Sequence, residues 1–182
     1  MSAVRYAMAI DTRTCVGCTA CVTACKTEND VAPGFSRDWI TSVVNGQFPD
    51  LSMEIRSERC NHCDDAPCVS VCPTGASYVG PGGVVLVDHG KCTGCKACIA
   101  ACPYDARFVD PRTGTIDKCT FCVHRIENGT STTACQSVCP TESIYFGDIN
   151  DPESDISRVL ARRDSFALLP GAGTTPRHYY LR

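Results

Sequence analysis

Cys92-Thr-Gly-Cys95-Lys-Ala-Cys98-Ile-Ala-Ala-Cys102-Pro103 is the stretch that decides how this chain reads. Three thiolates at two-residue spacings, a fourth after three more residues, then proline, is a spacing that holds 4Fe–4S cubes. Three cysteines this close can reach three corners of one cube from a single tight loop. The fourth ligates a different cluster where two clusters are present. On a short helix Cys98 and Cys102 share a face, with Cβ atoms about 5–6 Å apart. Centres held by such neighbours lie on the order of 10 Å apart, an estimate built on that spacing. The run therefore specifies a distance between two redox centres as well as a ligand set, and that combination points to electron transfer.

The signature occurs three more times. Cys15, Cys18, Cys21 and Cys25 repeat it with Lys26 in place of proline. Cys60, Cys63, Cys68 and Cys72 widen the second gap and keep Pro73; Cys119, Cys122, Cys135 and Cys139 stretch that gap further and keep Pro140. These are all 16 cysteines of the chain, which is the ligand count for four 4Fe–4S clusters. Such a cysteine content in 182 residues would suit a disulfide scaffold in a secreted protein, but C-x-x-C at every motif reads as metal or redox chemistry. Zinc sites combine two such knuckles across a longer loop; three thiolates in seven residues followed by Cys-Pro fit a cube better.

The formal charge is −3, with 20 acidic against 17 basic residues, and no basic run marks a nucleic-acid surface. Sixteen thiolates on four cores of about +2 each would add about −8, which makes the loaded chain distinctly acidic. No stretch of about 18 apolar residues is present, so no membrane span is expected. No Cys-x-x-Cys-His run attaches a haem, and no Gly-x-Gly-x-x-Gly follows a strand to hold a nicotinamide or flavin. No nucleophile–base pair emerges from four scattered histidines, so the chain is read as a non-catalytic carrier without a substrate site.

In chain order, residues 4–10 read as an edge strand leading into the first cysteine loop. Residues 39–44 and 51–56 read as a hairpin turning around Asn45-Gly46, with Pro49-Asp50 following. Residues 77–79 and 84–88 flank a Gly80-Pro-Gly-Gly83 turn, and residues 107–109 and 115–117 flank a second one. The 123–134 loop inside the fourth motif reads as polar and exposed. Asp151-Pro-Glu-Ser-Asp155 is positioned to cap a helix through Leu160 to Arg163, and Tyr179-Tyr180 lies in a tail. The recurrence of motif plus hairpin is an internal repeat. The fold class is α+β: a tandem bacterial-ferredoxin-like arrangement of two pseudo-symmetric two-cluster units with β-hairpin insertions. Residues 1–147 form the four-cluster domain, with an outer motif pair (4–30 and 115–147), an inner pair (57–110) and a hairpin insertion (36–57). Residues 148–182 are expected as a C-terminal arm.

At these four motifs the chain resembles the iron–sulfur electron-transfer (beta) subunits of molybdopterin oxidoreductases. The opening Arg-Tyr-Ala-Met-Ala-Ile-Asp11, Cys-Pro-Tyr-Asp-Ala-Arg107 and Lys118-Cys-Thr-Phe-Cys-Val-His-Arg125 are most similar to polysulfide or thiosulfate reductase subunits. The resemblance implies a pairing of motifs. Cluster A falls to Cys15, Cys18, Cys21 and Cys139, and cluster B to Cys25, Cys119, Cys122 and Cys135. Cluster C falls to Cys60, Cys63, Cys68 and Cys102, and cluster D to Cys72, Cys92, Cys95 and Cys98. Spacing alone supports only the inner exchange, C with D. Some members replace one cysteine of the third motif and carry a 3Fe–4S centre; here all four are present. The implied partners are a molybdopterin catalytic subunit and an integral-membrane, quinone-reactive subunit. A free polyferredoxin and a zinc-stapled interaction module are the competing readings.

His62 sits between two ligands in Cys60-Asn-His-Cys63, where exposure or a hydrogen bond that tunes potential is expected rather than ligation. Trp39 is expected in the core. Lys26, Lys96, Lys118 and Arg125 adjoin the anionic centres, either as solvated charge or as groups that raise a potential or anchor a partner. Met1–Asp11 carries only a short apolar segment without a signal-peptide pattern. The expectation is therefore a membrane-associated, extracytoplasmic subunit co-exported with its catalytic partner, the alternative being the cytoplasmic face.

Overall fold

Ala7-Met8-Ala9-Ile10 alternates small and large side chains, and this alternation sets the layers of the fold. In a strand successive residues face opposite sides: Met8 and Ile10 face the main core, while Ala7 and Ala9 face a second cluster built on Ile156 and Leu181. The computed structural model describes residues 3–182. Met1 and Ser2, the start of the Met1–Asp11 segment, lie outside the described residues. The elements run β1 (Tyr6–Asp11), α1 (Ala20–Glu28), β2 (Asp38–Gln47), β3 (Asp50–Arg59), α2 (Pro67–Ser70), β4 (Ser77–Val79) and β5 (Val85–Val87). They continue as α3 (Ala97–Ala100), β6 (Phe108–Val109), β7 (Ile116–Asp117), α4 (Val123–Glu127), α5 (Ala134–Ser137), β8 (Ile144–Asp148), α6 (Asp155–Arg162), β9 (Ser165–Phe166) and β10 (His178–Leu181).

The largest sheet has the order β8-β1-β10-β9. The first strand was expected at an edge; it is interior, antiparallel to β8 and parallel to β10. The physical reason is its apolarity on both faces, which an edge exposed to water would not reward. The 148–182 segment packs on the body. β10 fills the position between β1 and β9, with Tyr180 fully buried against the main core. α6 covers the outer face, capped by Ser154, whose hydroxyl accepts the Ser157 N–H.

The other sheets are two-stranded ladders: β2 with β3, β4 with β5, and β6 with β7. In the first, Asn45-Gly46 does not form the turn. Asn45 pairs with Ser52 and Gly46 with Leu51, and the chain reverses at Phe48-Pro49. Gly46 has φ near +90°, and a Cβ there would run into the Asp50 carbonyl, so glycine serves a close approach inside the ladder. The 123–134 loop is also more ordered than a polar loop: it contains α4, and Thr133 and Ala134 at its end are buried.

Proline decides helix length at the motifs. α2, α3 and α5 have four residues each and stop just before Cys-Pro. The proline ring lacks an N–H and disfavours helical geometry in the residue before it. Where Lys26 stands instead, α1 runs on to nine residues.

Candidate metal centres

Each motif folds into the same device. The second residue between the first two cysteines is left-handed in all four: Gly17 and Gly94, but also His62 and Phe121. This reversal turns both thiols inward. The third and fourth cysteines then sit four apart on, or just beyond, a short helix, which gives them a shared face. α1 packs against α5, and α2 against α3.

The thiols converge in four sets. One cavity, with an empty volume of about 320 Å³, is lined by Cys15, Cys18, Cys21 and Cys139. A second, about 290 Å³, is lined by Cys25, Cys119, Cys122 and Cys135. A third, about 310 Å³, is lined by Cys72, Cys92, Cys95 and Cys98. Cys60, Cys63, Cys68 and Cys102 form the fourth set: burial first, then the charges of Cys60, Cys68 and Cys102, raise the Cys63 thiol pKa, and burial with the charges of Cys60 and Cys102 raises that of Cys68. Each helix thus divides its two cysteines between two sets: Cys98 faces the third cavity while Cys102 joins Cys60, Cys63 and Cys68. Near-equal volumes and identical donors fit one kind of occupant, and four thiolates per site is the donor set of a 4Fe–4S cube.

Electrostatics within the sets is uneven. Burial pushes the Cys63 and Cys119 thiols up to about 12 and raises Cys25 further still. The half-buried Cys72 is brought down to about 7, chiefly by the Ser77 backbone N–H, which donates to its Sγ at 3.4 Å. Buried thiols therefore become thiolates only when a metal takes the proton's place.

The space between the sets holds buried cations. Arg59 is 1% exposed and donates from Nη1 to Cys135 Sγ at 2.9 Å. Arg107 is 4% exposed and donates from Nη2 to Cys68 Sγ at 2.9 Å. Lys118 is buried next to Cys119, its amine donating to the Val85 and Cys119 carbonyls. Of the cationic residues singled out in sequence, Lys118 is the one that is buried; Lys96 is exposed, Lys26 is half-buried, and Arg125 pairs with Glu28. Neither arginine was singled out as a cation. A signal was available, since Arg59 and Lys118 each immediately precede the first cysteine of their motif.

His62 corrects the expectation of exposure. It is fully buried, accepts the Val85 N–H at Nδ1 (3.1 Å) and stacks on Phe121 with ring centroids 3.7 Å apart. Burial lowers its pKa well below the usual histidine value, so the ring is neutral. These are the two side chains at the left-handed positions of the second and fourth motifs, and their stack fills the centre of the molecule. Trp39 is half-buried and packs against the core.

Residues 51–149 match one family of 4Fe–4S dicluster domains and residues 14–77 another. The chain belongs to the 4Fe–4S dicluster family, as an iron–sulfur subunit built of two tandem ferredoxin-like domains of mixed helix and sheet. It is 44% identical over 181 residues to Protein NrfC of Escherichia coli, covering 98% of this chain and 81% of the relative. It is 43% identical to a tetrathionate reductase subunit of Salmonella typhimurium, covering 97% and 72%. It is also 43% identical to a polysulfide reductase chain of Wolinella succinogenes, covering 95% and 92%.

Proposed function

We propose that this chain is a four-cluster wire. It relays single electrons between a molybdopterin catalytic subunit and a quinone-reactive membrane subunit of a sulfur-compound oxidoreductase. Each cysteine set is assigned one 4Fe–4S cluster, in the spatial order A–B–C–D. Charge repulsion between Cys21 and Cys135 supports A beside B, and that between Cys119 and Cys60 supports B beside C. Arg107 feels the charges of Cys68, Cys60 and Cys98, which supports C beside D.

The observation that carries the reading is exposure along this order. Cys18 of A and Cys95 of D are exposed, whereas all of B and all of C except the half-buried Cys102 are buried. A chain that insulates the middle and opens both ends is built for passage between two partners. The names of its relatives among polysulfide, tetrathionate and thiosulfate reductases support the substrate class of the complex. In the described residues no helix is long and apolar enough to cross a membrane, so the membrane subunit is a separate chain in this reading.

Anaerobically purified protein is expected to hold about sixteen iron and sixteen sulfide per chain, with a broad absorption near ~400 nm. A large molybdenum subunit should co-purify with it. Stoichiometric zinc overturns the cluster reading, and iron-replete protein that purifies alone favours a free polyferredoxin. For location, we propose loading in the cytoplasm followed by co-export, because a holo fold that depends on its metals must form before transport. Deleting the catalytic partner's export signal should strand this chain in the cytoplasm; an unchanged distribution rules co-export out.

A further inference from the structure

Arg59 and Arg107 occupy matching positions between cysteine sets. Arg59 donates to Cys135 of set B at 2.9 Å and to Ser57 Oγ, and Ser57 Oγ lies 3.4 Å from Cys21 Sγ of set A. Arg107 donates to Cys68 of set C at 2.9 Å and to Ser77 Oγ at 3.0 Å, and Ser77 N–H donates to Cys72 of set D at 3.4 Å. In both places one guanidinium touches a ligand sulfur of a middle set, B or C, directly and reaches an end set, A or D, through a serine. We propose that Arg59 and Arg107 are fixed internal cations that raise the reduction potentials of the two centres each one bridges, A with B and C with D.

This role presupposes the four-cluster function proposed above and follows from elementary electrostatics. A guanidinium stays protonated in proteins. Reduction adds one negative charge to a centre already surrounded by four thiolates, and a cation held nearby at low dielectric favours that reduced state. Hydrogen bonds to the cluster sulfurs act in the same direction. The two sites are not equal. Asp38 Oδ2 lies 3.7 Å from Arg59 Nη2 and offsets part of its charge. Among the described residues no carboxylate lies within ion-pair distance of Arg107, so its field is the less compensated and its effect the larger. A simple packing role would not care about sign, and that separates the two explanations.

The test is EPR-monitored redox titration of iron-replete R59M and R107M beside R59K and R107K, with each centre assigned through cysteine-to-serine variants. R107M is expected to shift C and D to lower potential and leave A and B in place. R59M should shift A and B by less and leave C and D in place. Each lysine variant should move its centres less than the methionine variant does. Unmoved potentials in iron-replete methionine variants overturn the proposal, as do equal shifts in all four centres or lysine variants that behave like methionine. If a methionine variant loses iron, its lysine counterpart decides. Iron and near-native potentials retained with lysine support the charge role, and loss in both shows that the side chain only packs. Absence of iron in the unmutated protein would instead refute the cluster reading itself.

Discussion

Stripping the iron from the purified chain with a chelator is expected to unfold it, read as loss of the cooperative thermal transition. Arg107 and Lys118 are buried, and among the described residues neither has a carboxylate partner. Their counter-charges are ligand sulfurs, which in the metal-free chain revert to neutral thiols because burial raises their pKa: Cys68 beside Arg107, Cys119 beside Lys118. A buried charge left without its partner costs about 3–5 kcal/mol. Two such losses approach the whole stability of a domain this size, about 5–15 kcal/mol. The three cysteine-lined cavities would also lose their contents, and the short helices beside them are far below the length at which a helix is stable alone. A metal-free chain that keeps a sharp transition at a similar temperature would show that the apolar sheet, not the metal, carries the fold.

Cys102→Ser is expected to damage a centre that its own motif does not hold. In the proposed assignment its thiol belongs with Cys60, Cys63 and Cys68, so the centre of the second motif should lose a ligand and about one to four iron. The centre of Cys92, Cys95 and Cys98 keeps Cys72 and should keep its signal. The reciprocal variant, Cys72→Ser, should spare the Cys60 set and damage the Cys92 set. Because C lies inside the order A–B–C–D, its loss breaks the sequence of hops, and electron throughput should fall far more than the iron count does. EPR loss confined to the third motif's own centre in Cys102→Ser would refute the exchange.

The four cysteine motifs were legible in the sequence because cube geometry is local: three thiols on one loop leave little freedom, and Cys-Pro marks where the helices of the last three motifs stop. The hairpin at 38–59 was legible as a hairpin but not in its turn. Asn-Gly is the strongest short-range turn signal, yet Phe48-Pro49 takes the reversal and Gly46 is used for its lack of a Cβ. His62, Arg59 and Arg107 were not legible, because their burial follows from motifs meeting across the chain. The basic residue before a first cysteine illustrates the limit. Arg59 and Lys118 are buried, whereas Lys91 in the same position is exposed and pairs with Asp88. Spacing alone does not tell them apart. β10 was missed for a related reason: a parallel neighbour is chosen by long-range register, which four residues of sequence do not announce.

The sheet that holds β1 also fixes a timetable. Met8 pairs with Phe146 on one side and His178 on the other, so this strand waits for two that emerge far later in the chain. All eight cysteines of the inner sets lie between residues 60 and 102 and emerge together, while each outer set needs thiols from both ends of the cysteine-bearing region. In the proposed assignment the two inner sites are therefore complete once Cys102 has emerged, whereas the outer pair cannot close until Cys135 and Cys139 follow.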